Sequence, residues 1–330
     1  MILPFRSQIL IRLAVVSIAT LLPVGFAALA QTNSTTPAAT PSAGAAGSAT
    51  SAADEAVLAA DGCTEEKFTV HSPSMDRDIS GLVILPPGYK DHPDTKYPVL
   101  YALHGRRASP EGFRKMIPLR AGLKDKPMIV ACFDGDRGSE YLDAATPQKW
   151  SRNLQDSSEK KSLFTTFFFD EFVPYVDKTY RTNPKQRMVT GFSMGGYGAL
   201  HYMLARPDFF ASVSSMSGAF DDFAHPTDEI KKWLTPLLGS FDQNPAPWLA
   251  ADIATQIQAV AAKGVKLPPV YLTCGTEDKL IKVNRDMNDL LKAKGYTSQI
   301  VEAPGGHDRA FWDSAAVGVL NFHWQSLQQK

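Results

Sequence analysis

The sequence predicts a doubly wound α/β layer fold, with a mostly parallel central sheet and helices on both faces. Three observations carry that expectation. Short runs bounded by Gly, Pro or Asp recur from residue 79 to residue 275. They are apolar almost throughout, as strands buried on both faces require. Helix-patterned segments separate them, so strand and helix alternate along the chain. The 330 residues, 44% hydrophobic and 21% charged, have the composition of an ordinary globular protein, without internal repeats.

Residues 1–30 read as an export signal. Arg6 and Arg12 lead, an apolar stretch follows from Leu13, and Ala28-Leu29-Ala30 offers small residues for cleavage. Ser17, Thr20 and Pro23 interrupt that stretch, which argues against an uncleaved anchor. The absence of cysteine just after Ala30 argues against a lipoprotein. Residues 31–55 are nearly all Ala, Ser, Thr, Pro and Gly, too poor in large apolar side chains to offset the entropy of ordering, and read as a disordered tether. Asn33-Ser34-Thr35 matches a glycosylation acceptor that only a eukaryotic secretory host would use. The folded domain is then expected over 56–330.

Within it, ISGLVIL (79–85) stops at the turn signal Pro86-Pro87-Gly88. The further strand candidates are YPVLYALHG (97–105), KPMIVACFDG (126–135), RMVTGFSMGG (187–196), FASVSSMSG (210–218), LPPVYLTCG (267–275) and YTSQIVE (296–302). Helix candidates are TTFFFDEFVPYVDKTY (165–180), YGALHYMLARPDFF (197–210) and KVNRDMNDLLKAKG (282–295), the last closed by Gly295. Residues 219–266, with Trp233, Trp248 and several prolines, are expected to form a small helical cap.

Lys and Arg number 34 against 34 Asp and Glu, and loss of residues 1–30 would remove only Arg6 and Arg12. That balance gives no electrostatic case for nucleic acid or an anionic membrane as partner. The three cysteines cannot form a disulfide framework. Cys132 and Cys274 end apolar runs and read as buried thiols.

The chemistry centres on RMVTGFSMGGYGAL, where a strand runs straight into a helix with Ser193 at the junction. Gly191 and Gly195 allow the tight fold that lifts a hydroxyl clear of a sheet, the geometry of a nucleophile elbow. A serine hydroxyl needs a base, and the base needs a holder. His307, in the Gly-flanked EAPGGHDRAFWD, is the candidate base; His71, His92, His225 and His323 lack such a setting, and His201 on the helix behind the serine reads as structural. The order serine, acid, histidine expected of α/β-hydrolases points to Asp278, beyond VYLTCG, with Asp221, Asp222 and Glu277 as rivals. His104-Gly105-Arg106 ends its own strand. The backbone N–H groups of Met194 and Arg106 are the expected oxyanion donors, with His104 positioning the loop. FDGDRGSE bunches Asp134, Asp136 and Glu140 without calcium-loop spacing and reads as a solvated loop. No metal or cofactor motif appears, and the chemistry needs none.

Over roughly 65–325 the chain resembles the secreted esterase family that includes feruloyl and acetylxylan esterases, carboxylesterases, S-formylglutathione hydrolases and mycolyltransferases. The resemblance rests on ILPPGY (84–89), PVLYALHG (98–105), FVPYVDKTYRT (172–182), GFSMGGYGAL (191–200), CGTEDKL (274–280) and GGHDRAFWD (305–313). It implies nucleophile Ser193, acid Asp278, base His307 and oxyanion amides at Met194 and Arg106. The implied activity is exported, cofactor-free hydrolysis of short-acyl or carbohydrate-linked esters; acyl transfer to a sugar hydroxyl and non-catalytic binding are the alternatives. Two departures, HGRRASPEG where relatives carry more glycine and Arg309 where they carry tryptophan, suggest a more polar, cationic mouth, at which Arg106, Arg107 and Arg309 either bind an acidic substrate or are solvated or salt-bridged surface.

Overall fold

The structure, a computed structural model, describes residues 52–148 and 159–329. The export signal over 1–30, the glycosylation acceptor and the tether up to residue 51 lie outside those residues. Eight strands form one sheet: β1 (Thr64–Ser72), β2 (Arg77–Leu85), β3 (Tyr97–Leu103), β4 (Ile129–Phe133), β5 (Thr182–Gly191), β6 (Ser212–Met216), β7 (Val270–Gly275) and β8 (Ser298–Ala303). Their order is β1-β2-β4-β3-β5-β6-β7-β8. β1 and β2 pair antiparallel, as do β2 and β4, and every pairing from β4 to β8 is parallel.

The apolar runs do what their composition demands. Every residue of β3, β4, β6 and β7 is buried. Side chains of successive strand residues point to opposite faces, and they feed two separate cores. Val83, Leu85, Val99 and Tyr101 pack with the helix Met194–Ala205 and the aromatic segment 164–180. Leu82, Ile84, Leu100 and Ala102 pack with the helices Ile117–Gly122 and Arg309–Gln328. The sheet is thus covered on both sides. Phe133, Phe167, Phe168 and Phe172 are fully buried in the first core and meet in stacked and edge-on pairs. Burial of each ring stabilises the fold by about 1.5–3 kcal/mol.

Several elements depart from the sequence reading. β1 carries no continuous apolar run, since it is an edge strand with only Phe68 and Ser72 buried, and edges favour charged residues. A helix, Ala52–Ala60, begins inside the last residues of the expected tether. Its alanines are strong helix formers, and Glu55 pairs with Arg114 at 2.8 and 2.9 Å. Arg120, fully buried, ties the next residues down by binding Asp61 and Glu65. The segment 165–180 is not one uniform α-helix. It widens into a π-helical stretch, Phe167–Phe172, just ahead of Pro174, whose missing N–H breaks the regular ladder. Finally, a 20-residue helix, Arg309–Gln328, starts two residues after His307 with Asp308 capping the Phe311 N–H.

The expected cap is present as three helices, Asp228–Leu238, Ala246–Ala251 and Ile253–Ala262. All three cysteines are free, with Cys132 and Cys274 buried as expected. Among the described residues no helix is long and apolar enough to cross a membrane, and no cluster of three or more His, Cys, Asp or Glu is placed to hold a metal ion.

Candidate active site

The carboxyl ends of β3, β5, β6, β7 and β8 supply the site. At the end of β5 the chain reverses into the helix Met194–Ala205 through Ser193, whose φ of 56° and ψ of −120° are unusual for a residue with a side chain. The surroundings enforce that conformation. Ser193 N–H donates to Met216 O on β6 at 2.9 Å, while its own carbonyl accepts from Tyr197 and Ala219, each at 3.1 Å. Only glycine fits on either side: a Cβ at Gly191 would lie 2.2 Å from Gly195 O, and one at Gly195 would lie 1.9 Å from Leu103 O. The strain at Ser193 is therefore held by the neighbouring strands, and the hydroxyl stands clear of the sheet.

Two further loops meet it. After β7, Asp278 N–H bonds back to Gly275 O; after β8, Gly305 O accepts from Glu277 N–H at 3.0 Å. A Cβ at Gly275 would sit 2.0 Å from Gly305 O, so the two loops lock together only because Gly275 has none. The result is one line of hydrogen bonds. Ser193 Oγ lies 2.9 Å from His307 Nε2, and His307 Nδ1 lies 2.8 Å from Asp278 Oδ2. The other oxygen, Asp278 Oδ1, accepts from Leu280 N–H at 2.9 Å.

Burial pushes the Asp278 carboxyl up, but hydrogen bonds from His307, Leu280 N–H and the Ser217 hydroxyl outweigh it and hold the group below its ordinary value. An ionised Asp278 fixes the neutral imidazole with its proton on Nδ1, which leaves the Nε2 lone pair facing Ser193 Oγ–H. The adjacent Cys274 thiol is pushed up to about 12, by burial first and by Asp278 second, and stays protonated.

The rival acids lie elsewhere. Asp222 pairs with exposed His225, Asp221 faces Arg106 and Lys279, and the Glu277 side chain is exposed. The other histidines separate as clearly. His71 pairs with Asp78 on the surface, and buried His323 bonds Ser212 and Ser214 at 2.8 and 2.9 Å. His201 bonds Thr165 and is pushed down to about 4 by burial, so it is neutral and structural.

His104 positions the third loop. Its Nδ1 lies 2.9 Å from Gly105 O, and its Nε2 accepts from Gly135 N–H at 2.9 Å, which makes it a strut between the ends of β3 and β4. Gly105 packs against Phe192, where a Cβ would meet the ring at 2.9 Å. This close approach sets the Arg106 backbone beside the turn that carries Ser193. Neighbouring amides are engaged elsewhere, Gly195 N–H with Phe192 O and Arg107 N–H with Arg137 O.

Residues 133–140 do not form the solvated loop read from the sequence. Asp136 is clamped by Arg77, and Glu140, 1% exposed, pairs with Arg106 at 3.4 Å. A local run rich in carboxylates looked solvent-facing because both arginine partners are distant in sequence. Of the two readings of the mouth arginines, the salt-bridged one holds for Arg106 and Arg309. Arg106 lies over the ring of Trp233 in the cap and against Glu140, and Arg309 binds Asp313 at 2.6 Å, leaving only Arg107 exposed without such a partner among the three.

Burial raises Glu140 from 4.5 to about 7, opposed by Arg106 and reinforced by Asp221. The sign follows from linkage: a carboxyl whose folded value is raised contributes stability below its unfolded value that is lost as pH rises through the folded one. Glu140→Gln should therefore remove a loss of stability between pH 4.5 and about 7, on the order of 3 kcal/mol. Urea midpoints of wild type and variant across that range check it; parallel curves would contradict it.

The sheet order, the strained turn and the Ser193–His307–Asp278 line together define an α/β-hydrolase. The chain belongs to the esterase family, since the family model described as "Putative esterase" matches residues 72–322. It is similar to an acetyl esterase of Caldicellulosiruptor saccharolyticus, 28% identical over 52% of this chain and 66% of the relative. It is also similar to an esterase of Mycobacterium tuberculosis, 27% identical over 68% of this chain and 51% of the relative. Both matches span less than two thirds of those proteins' own lengths. Among solved structures, a ferulic acid esterase superimposes with a TM-score of 0.63 at 24% identity, covering 80% of this chain and 98% of its own. An S-formylglutathione hydrolase from Agrobacterium tumefaciens gives 0.68 at 18% identity, covering 81% and 97%.

Ser217 and Trp312, which no motif in the sequence marks as functional, also line this region. Trp312 was within reach, since it lies one helical turn inside the helix that follows His307.

Proposed function

We propose that the chain is an exported serine carboxylic-ester hydrolase working through an acyl-enzyme. The observation that carries the proposal is the unbroken hydrogen-bond line from Ser193 Oγ through His307 to the buried Asp278 carboxylate. Ser193 Oγ attacks the ester carbonyl as His307 Nε2 takes its proton, and Asp278 stabilises the imidazolium that forms. The backbone N–H groups of Met194 and Arg106 receive the developing oxyanion. His307 then protonates the leaving alcohol, water enters on the same side, and the imidazole activates it to release the acid. No cofactor takes part. Export rests on the sequence of residues 1–30 alone.

The preferred substrates are short-acyl or carbohydrate-linked esters. Support comes from the cap, whose Trp233 ring meets the Arg106 guanidinium, and from the acetyl and ferulic acid esterases among the similar proteins. A chromatographic screen of the purified protein against short-acyl, feruloyl and acetyl-sugar esters tests the proposal, with Ser193→Ala as background. Turnover of short-acyl or acetyl-sugar esters above that background is expected. Folded wild type that cleaves none of them overturns the hydrolase reading and favours a binding protein.

A further inference from the structure

Behind the carboxylate lies a second polar layer. Ser217 directly follows β6 with φ at 49°, a left-handed conformation that favours glycine, and is fully buried. Its N–H donates to Thr273 O on β7 at 2.7 Å, which fixes the residue between the two strands. There the Ser217 hydroxyl lies near both the Asp278 carboxyl and the Cys274 thiol. Trp312, on the helix that follows His307, donates its Nε1–H to Ser217 Oγ at 3.1 Å. The same indole stacks on Phe192 at 4.5 Å and meets the His307 ring edge-on at 5.2 Å. Phe192 directly precedes Ser193, so one side chain touches the ring next to the nucleophile, the ring of the base and the hydroxyl near the acid.

A hydroxyl has one hydrogen and two lone pairs. Trp312 Nε1–H, which can only donate, occupies a lone pair of Ser217 Oγ, so the Ser217 proton points away from the indole, toward the Asp278 carboxyl and the Cys274 thiol, and of these the carboxylate is the stronger acceptor. The groups facing the Asp278 carboxyl are His307, Leu280 N–H, the protonated Cys274 thiol and Ser217, and only Ser217 has its rotor set by another side chain. From this we infer that Ser217 and Trp312 are positioning residues: the indole N–H aims the Ser217 hydroxyl proton at Asp278, which fixes the carboxylate in the plane that orients His307 toward Ser193. The inference rests on the role of these three groups proposed above.

The pair should act as a unit. Losing a hydrogen bond to a charged group removes enough stabilisation of the carboxylate to strengthen its hold on the imidazolium, so the acid-side transition of the coupled His307–Asp278 pair rises by about one pH unit. Ser217→Ala and Trp312→Phe, which keeps a ring against Phe192 and His307, are each expected to show that rise. It is read both in the pH profile of kcat/KM and in the NMR titration of the His307 ring. Each should lower kcat about tenfold and leave KM within about twofold. The double variant should be no slower than Ser217→Ala alone, because the indole acts only through the hydroxyl. Unchanged titration in folded Ser217→Ala, or losses in kcat that multiply in the double variant, would overturn the inference. If Ser217→Ala does not fold, Trp312→Phe carries the same titration and kcat readings. An inactive wild type would count against the hydrolase reading, while the NMR titration would still decide the positioning role.

Discussion

Ser193→Ala is expected to lower kcat for ester hydrolysis by roughly a millionfold, about 8 kcal/mol of transition-state stabilisation, with the fold intact. The size of the effect follows from what the substitution removes. Without Oγ there is no acyl-enzyme, and His307 has no proton to accept, so the Asp278–His307 pair is left without a task. Groups that act as a unit lose their function together, and Ser193→Ala/His307→Ala should be scarcely slower than Ser193→Ala. Asp278→Asn should cost less, about ten thousandfold, since it leaves the nucleophile in place and favours the wrong imidazole tautomer. Steady-state assays on the best ester from the screen, with circular dichroism to verify folding, check the series. Substantial turnover by Ser193→Ala would mean that another nucleophile does the work.

Gly195→Ala should damage both stability and catalysis although it adds a single methyl. The new Cβ would lie 1.9 Å from Leu103 O, 2.5 Å from the Leu103 carbonyl carbon and 2.8 Å from His104 O. Those are backbone atoms, not the flexible end of a side chain, so the start of the helix and the end of β3 must separate. Both proposed oxyanion amides border that contact, Met194 on one side and Arg106 on the other. A displacement near 1 Å there costs about a hundredfold in kcat, and forcing a methyl into a packed junction costs about 3 kcal/mol of stability. Urea unfolding and kcat measured on the same preparation test this. A variant with wild-type kcat and midpoint would show that the junction is looser than its contacts indicate.

The sheet was legible because its strands are continuously apolar. Such runs as VLYAL and VACF need both faces covered, and that alone implies parallel pairing under helices. β1 escaped because an edge strand with alternating charge has no such signature. Ser193, Asp278 and His307 could be read from local order, since each follows a strand at the same sheet edge. The carboxylates of 134–140 could not, because their burial depends on Arg77 and Arg106, brought in by other strands. Ser217 was hidden for a related reason. A serine at the end of a strand is common, and what distinguishes it is an indole nearly a hundred residues away that folds back over the site.

The most direct measurement is labelling of the folded wild-type protein with a fluorophosphonate, followed by intact-mass and peptide mapping. One adduct per chain on Ser193, formed more slowly in Asp278→Asn and absent from Ser193→Ala, is the expected result. An unlabelled wild type, or an adduct at another serine, would contradict the assignment of Ser193, His307 and Asp278 as the working centre.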